Sequence, residues 1–204
     1  GVDLPPQYTN AGDAMPNVVF TGMLDYRPNV EGLRWFVDEV WPHVHRNVRQ
    51  AQLHIVGRRP VSAVRRLTDV AGVRVIGDVP DTQRYLEGAR VAIAPLHIAR
   101  GVQNKALQAM AAARPVVVTE AVRGGLAVDG RCSCILADTA EMWAQTVTQL
   151  LQHPALASSF GVSGRLFVQR HYDWAQTLGP MMRLLTPPQL QPTVMTPRLT
   201  TLAA

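Results

Sequence analysis

The chain of 204 residues is long enough for one well-buried domain but not comfortably for two, and its composition, 47% hydrophobic and 17% charged, is that of an ordinary globular protein. No apolar run approaches the roughly 20 residues of a membrane-spanning helix, and the opening Gly1-Val2-Asp3-Leu4 lacks the basic and apolar regions of a signal peptide, so a cytoplasmic address is expected. The net charge of +5 comes from scattered arginines and a single lysine, without a basic stripe or interleaved aromatics, which argues for codon bias and against nucleic acid as a partner.

Short apolar, β-rich runs alternate with helical patterns, and this predicts a doubly wound parallel α/β sheet of about six strands, Rossmann-like in its organisation. The first strand is 18–21, closed by Gly22. A loop over 23–28 leads into a helix near Asn29, where Val30, Leu33, Phe36, Val37 and Val40 recur at helical spacing until Pro42 winds it down. Strands follow at 52–56, ending in Gly57, and at 73–76, ending in Gly77. Asp81 caps a short helix, and a fourth strand covers 91–94. A helix over about 102–113 precedes a fifth strand at 115–119, and a sixth strand is expected near 133–137. Helices are predicted at 139–151, 154–160, 164–171 and 174–185. Residues 1–16 read as a linker, 17–185 as the domain, and the Pro-, Thr- and Gln-rich stretch 186–204 as a disordered or surface-draped tail. The absence of an initiator Met suggests a chain cut from something longer.

Ligands of open parallel sheets bind outside the carboxyl ends of the strands. Gly22, Gly57 and Gly77 stand at three such ends, either as simple turn residues or as a way for backbone to approach a ligand in a shared crevice. The dinucleotide fingerprint, the phosphate loop, the serine elbow and the zinc-protease motif are all missing. The informative stretch is 98–111, which follows the fourth strand and opens a helix. Leu107, Met110, Ala111 and Arg114 share one face, whose apolar members read as core; Asn104, Lys105 and Gln108 share another. Lys105 sits in the first helical turn, where the macrodipole disfavours a cation, and Arg100 lies just ahead of it. An anion docking between them, most commonly a phosphate, explains the placement. The alternative is a solvated Arg with a Lys snorkelling outward.

Several other residues invite plainer readings. His54 reads as a sheet-face histidine, whereas His97 falls at the expected site with packing and ligand roles both open. The four tryptophans read as packing residues, and Glu120 as a residue of the site rim. Cys132 and Cys134 are too few for a disulfide framework and lack a second pair for zinc, so they read as two reduced thiols on one face of a strand.

These residues also resemble a family. Residues 17–137 are similar to the donor-binding, C-terminal domain of the bacterial retaining glycosyltransferases with the two-domain, B-type fold, the sucrose-synthase-like group. Phe20-Thr21-Gly22-Met23 with Asp25-Tyr26-Arg27-Pro28-Asn29 resembles the strand and loop beneath the donor phosphates. Ile55-Val56-Gly57 and Val75-Ile76-Gly77-Asp78-Val79 look like the next two strand ends, the latter lining the nucleobase pocket. The run from Leu107 to Val117 is similar to the family's Leu-Glu-Ala-Met-Ala-x-Gly-x-Pro-Val-Val, and the loop 99–105 to a subgroup associated with exopolysaccharide and protein-sorting gene clusters.

The resemblance implies transfer of a hexosyl group from a UDP- or GDP-sugar to a saccharide or lipid-linked acceptor with retention. The acceptor would be held by an N-terminal domain that this chain lacks, leaving the chain alone inactive. It implies no obligatory metal and no cofactor beyond the donor, and leaves peripheral association of the full-length protein with the inner membrane open. Arg100 and Lys105 are the implied catalytic cations, aided by the amides of Gly101 and Val102. Gly22, Met23, Arg27, Gly57, Arg58, Ile76, Gly77, Val79, His97, Asn104 and Gln108 are the implied donor contacts. The family's Glu-x7-Glu falls on Arg100 and Gln108, and its first-loop phosphate Arg falls on Met23, with Arg27 as the candidate substitute. The lost carboxylates keep a second class in view, a non-catalytic nucleotide-sugar-binding or partner module, and the shared fold a third, a nucleotide-sugar epimerase.

Overall fold

The computed structural model describes residues 1–185 apart from Gln7 and Asp129, so the expected tail at 186–204 lies outside the described residues. Six parallel strands form one sheet in the order β3-β2-β1-β4-β5-β6. They are β1 (Asn17–Thr21), β2 (Gln52–Gly57), β3 (Val73–Gly77), β4 (Val91–Ala94), β5 (Val116–Val118) and β6 (Ile135–Leu136). The chain builds outward from β1 to β3, then returns to set β4 on the other side of β1, pairing Val18 with Val91 and Val19 with Ala92. That reversal brings the loop after β4 and the start of the following helix beside the carboxyl end of β1, the usual place for a ligand in an open parallel sheet. Val18, Val19 and Phe20 are at most 1% exposed, because helices cover both faces of the sheet; the strands therefore read as solid apolar runs rather than alternations.

Helices fill the connections, and two depart from the sequence reading. The first does not end at Pro42. It continues from α1 (Arg27–Trp35) through a π-helical turn, Phe36–Val40, into α2 (Trp41–Asn47). Pro42 has no N–H to give and crowds the carbonyl one turn back; the wider turn just before it, closed by the Trp41 N–H on the Phe36 carbonyl, makes the room. The second correction concerns 154–171, which forms one helix rather than two. After α3 (Ser62–Arg65, extended by a 3-10 turn, Arg66–Asp69), α4 (Gln83–Glu87), α5 (Asn104–Ala111), α6 (Glu120–Leu126) and α7 (Ala140–Gln152), the chain forms α8 (Pro154–His171) and α9 (Trp174–Leu185). Gly161 and Gly164 are contact points within α8. A Cβ at Gly161 would stand 2.1 Å from the Ala113 carbonyl oxygen, and one at Gly164 would stand 3.1 Å from Met110 Cγ.

The described residues of 1–16 are laid against the domain. The Val2 N–H donates to the Tyr172 carbonyl at 2.8 Å. The Arg90 guanidinium donates to the carbonyls of Ala14 and Leu151 at 2.6 Å and of Gly12 at 3.3 Å. Trp41 and Trp143 are fully buried, whereas Trp174 is 44% exposed and donates its indole N–H to Asp3 at 3.1 Å. Among the described residues no helix is long and apolar enough to cross a membrane.

Candidate functional site

A crevice of about 880 Å³ opens at the carboxyl ends of β1 and β2, walled by the loop after β1, the loop before α4 and the first turn of α5. The start of α5 is short of negative charge. Its N-cap residue, Gln103, makes no capping bond through its side chain, and no acidic residue occupies the first turn. The free amides and the dipole of that turn are thus left for a ligand or for water.

Lys105 makes the shortage larger. Its side chain turns inward rather than snorkelling: Nζ donates to Asn29 Oδ1 and lies 4.4 Å from the centre of the Phe20 ring. Burial pushes the ammonium down to about 7, and no carboxylate among the described residues pairs with it. Asn29 is itself only 3% exposed, and its Nδ2 donates to the Met23 carbonyl at 2.7 Å. Gly22 completes this cluster by having no side chain, since a Cβ there would stand 3.0 Å from Asn29 Nδ2 and 3.2 Å from Lys105 Nζ. The glycine at the end of β2 serves the chain itself, because a Cβ on Gly57 would meet the Gly22 carbonyl oxygen at 1.7 Å.

Of the residues singled out from the sequence, Gly22, Met23, Gly57, Arg58, Val79, Val102, Asn104, Lys105 and Gln108 line this crevice. Others do not. Arg27 turns away to pair with Glu31 at 2.6 Å and is 86% exposed, so the arginine on that wall is Arg58. Gly77 lines a separate depression with Pro60 and Arg65, and Ile76 packs against the core. The three strand-end glycines therefore do not share one crevice. His97 sets its ring edge-on to Trp35 with centroids 4.7 Å apart. Arg100 is exposed, outside the crevice lining, with its carbonyl accepting from Gln103 Nε2 at 3.3 Å. Gly101 adopts φ +63°, and its carbonyl rests where a Cβ on Gly125 would come within 2.3 Å.

Glu120 lies in the first turn of α6 and is bound by Arg123 at 2.7 and 2.8 Å. His54 contacts Gln52 at 3.2 Å within the sheet, as a sheet-face histidine should. The cysteines are not on a strand: they sit in the bend before β6, with Sγ atoms 2.7 Å apart. Among the described residues no group of three His, Cys, Asp or Glu is arranged to hold a metal ion.

From sequence, Asn29 is only the end of the phosphate-loop stretch and has no role of its own. It falls on the apolar face of its helix, at i, i+4 and i+7 with Leu33 and Phe36, and a polar residue at a core position is the available signal. Asp25 and Tyr26 also line the crevice without having been named as contacts.

Comparison with known proteins bears on this geometry. The family model described as glycosyl transferases group 1 matches residues 15–153. The chain superposes on a Staphylococcus aureus TarM variant, crystallised with fondaparinux, alpha-GlcNAc-glycerol and UDP, with a TM-score of 0.70 at 16% identity, covering 91% of this chain and 37% of TarM. It superposes on Anabaena HepE in complex with UDP-glucose with a TM-score of 0.61 at 12% identity, covering 86% of this chain and 49% of HepE. The C-terminal domain of LpcC, a group 1 family protein from Francisella tularensis, gives a TM-score of 0.62 at 16% identity, covering 78% of this chain and 86% of that domain. At these identities the superpositions establish the fold. The chain spans less than half the length of TarM and HepE. Among curated proteins no sequence match is found.

Proposed function

The chain belongs to the group 1 glycosyl transferases, and on that premise we propose that it is the donor-binding half of an enzyme that moves a hexosyl group from a UDP- or GDP-sugar to a saccharide or lipid-linked acceptor. The observation that carries this reading is Lys105, a partly buried, inward-turned amine in the first turn of an uncapped helix, with one neutral acceptor and an open crevice before it. A diphosphate is the ligand whose charge and donor-seeking oxygens that arrangement lacks. UDP and UDP-glucose occupy the TarM and HepE structures, which makes the uridine series the first to test.

In this reading the diphosphate sits over the first turn of α5, between Lys105 and Arg58, with the Gly101 and Val102 amides above it. As the anomeric C–O bond breaks, negative charge grows on the leaving oxygen, and donors already in place stabilise it without reorganising. Gln108, one turn further on, offers a carboxamide oxygen to the ribose hydroxyls, a weaker acceptor than the family's carboxylate. Transfer proceeds with retention and without an obligatory metal, and Arg100 engages the diphosphate as the acceptor-bearing domain closes on the site. A role in cell-surface polysaccharide synthesis follows from the same resemblance.

The second reading, a binding module without turnover, draws on the exposed Arg100 and on Gln108 at the two positions where carboxylates are usual. Calorimetric titration with UDP, GDP and their hexose conjugates separates the two. Saturable binding of one base series, tighter for the intact sugar conjugate and weakened in Lys105→Ala, supports the donor half. Equal affinity for free nucleotide and conjugate favours the module, and binding that Lys105→Ala leaves unchanged removes the reading altogether.

A further inference from the structure

We infer that Asn29 is the positioning residue of this site: its carboxamide holds the Lys105 amine at the crevice floor and ties it to the loop after β1, so that anion entry is coupled to proton uptake at Lys105. The positioning half stands without any ligand; the coupling half rests on the nucleotide-sugar reading.

Asn29 is a costly residue for its place, a polar amide in the third position of a helix and at a core site. Both ends of the amide are used, and on different elements. The orientation follows from the partners, because an ammonium can only donate and a carbonyl can only accept: Oδ1 must face Lys105, and Nδ2 must face Met23. The β1–α1 loop and the first turn of α5, 76 residues apart in the chain, are thereby set as one unit. Gly22 leaves room for both side chains, since a Cβ there would crowd Asn29 Nδ2 and Lys105 Nζ alike.

The charged and titratable groups around this unit are few. The loop after β1 presents Asp25 and Tyr26, the end of β2 presents Arg58, and the loop before α4 presents Asp81. Asp25 pairs with Arg59 at 3.7 Å, and Asp81 accepts the Gln83 N–H at 2.8 Å. From β1 the neighbour is the Phe20 ring, and from α1 it is the Asn29 amide. The ammonium is thus held by neutral groups alone. Burial brings it down to about 7, so in the empty site at mildly alkaline pH the amine is largely uncharged. A nucleotide sugar, whose diphosphate diester keeps its charge over this range, must then draw a proton onto Lys105 as it binds. Its affinity falls above neutrality by up to about tenfold per pH unit.

Lys105 is the only lysine of the chain, so lysine labelled with 13C at Cε gives one reporter resonance. The expected midpoint for the wild-type chain is near 7. Asn29→Leu removes the acceptor and lowers it further, whereas Asn29→Asp supplies a carboxylate and raises it to about 9 or above. The same midpoint in the wild type and Asn29→Asp overturns the positioning role, and this pair suffices if the leucine variant does not fold. The second arm titrates UDP-glucose at about pH 6.5 and about pH 8.5, in two buffers of different ionisation enthalpy. Uptake of close to one proton at the higher pH, with binding at least about tenfold weaker there, is expected. Binding without proton uptake overturns the coupling and leaves the nucleotide reading intact. No binding at either pH, with the lysine titrating as expected, overturns the nucleotide reading and the coupling together while the positioning role stands.

Discussion

Two cations, one fully buried and one partly buried, stand at opposite ends of the same helix, and the protein treats them differently. Arg114, just beyond the carboxyl end of α5, is fully buried and donates to the carbonyls of Ala89 at 2.8 Å, Ala112 at 3.0 Å and Glu87 at 3.4 Å, and to both the hydroxyl and the carbonyl of Thr9. It sits where the macrodipole favours a cation. Burial pulls it down only to about 10, so it stays charged at physiological pH. Lys105, at the amino end, sits where the dipole disfavours it, with one neutral acceptor and a crevice in front. A cation that serves the fold is surrounded by acceptors. Lys105 is left short of them.

The largest expected effect comes from the satisfied end. Arg114→Met strips several buried carbonyls of their donor and should lower stability by about 3–5 kcal/mol in denaturant unfolding. A loss below about 1 kcal/mol would reduce Arg114 to a space filler. Lys105→Met should do the opposite to stability and more to binding: nucleotide-sugar affinity falls by about 30- to 100-fold, while the neutral-pH unfolding midpoint holds or rises. The pH dependence carries the same sign. Between about 7 and the ordinary lysine value of 10.5 the unfolded chain holds a proton that the folded chain has released, so wild-type stability rises with pH across that window. The Met variant should have a flatter profile, and parallel profiles would contradict the burial of the amine.

Gly125→Ala sharpens the comparison from a distance. Its methyl would press on the Gly101 carbonyl and displace the loop ahead of α5, lowering affinity by about three- to tenfold in the same titrations without touching the ligand. The smallest effect belongs to Arg27→Ala. This exposed residue already pairs with Glu31, and its loss should change donor affinity by about twofold or less. A tenfold loss would mean that Arg27 turns into the site when a donor arrives.

Much of the sheet was legible because strands covered on both faces leave continuous apolar runs, and β4 was placed to the residue. What failed were the punctuators. Pro42 reads as a stop, but the π turn before it lets the helix pass. The gap expected between helices 154–160 and 164–171 holds Gly161, which, like Gly125, faces a backbone carbonyl too close for a Cβ, while Gly164 packs tightly on Met110. Gly124 and Gly125 also hid α6, whose N-cap, Thr119, accepts the Val122 N–H at 3.4 Å. At the site, Lys105 was legible because its first-turn placement is unfavourable on local grounds alone. Asn29 was not, since its partners lie 6 and 76 residues away and only the tertiary fold brings them together. Arg27 misled for the converse reason: the family resemblance put it in the phosphate loop, but a glutamate one helical turn on claims its side chain.

The central claim is that the amino end of α5 and the carboxyl end of β1 form an anion site for a nucleotide sugar. Backbone amide shifts of this chain, followed by NMR as UDP-glucose or its guanosine counterpart is added, test it most directly. The account predicts the largest saturable shifts at Gly22, Val102, Asn104 and Lys105. Shifts centred instead on a separate cavity of about 460 Å³ beside α2 and α7, around His43 and Thr148, would contradict it, as would no saturable shift with either donor.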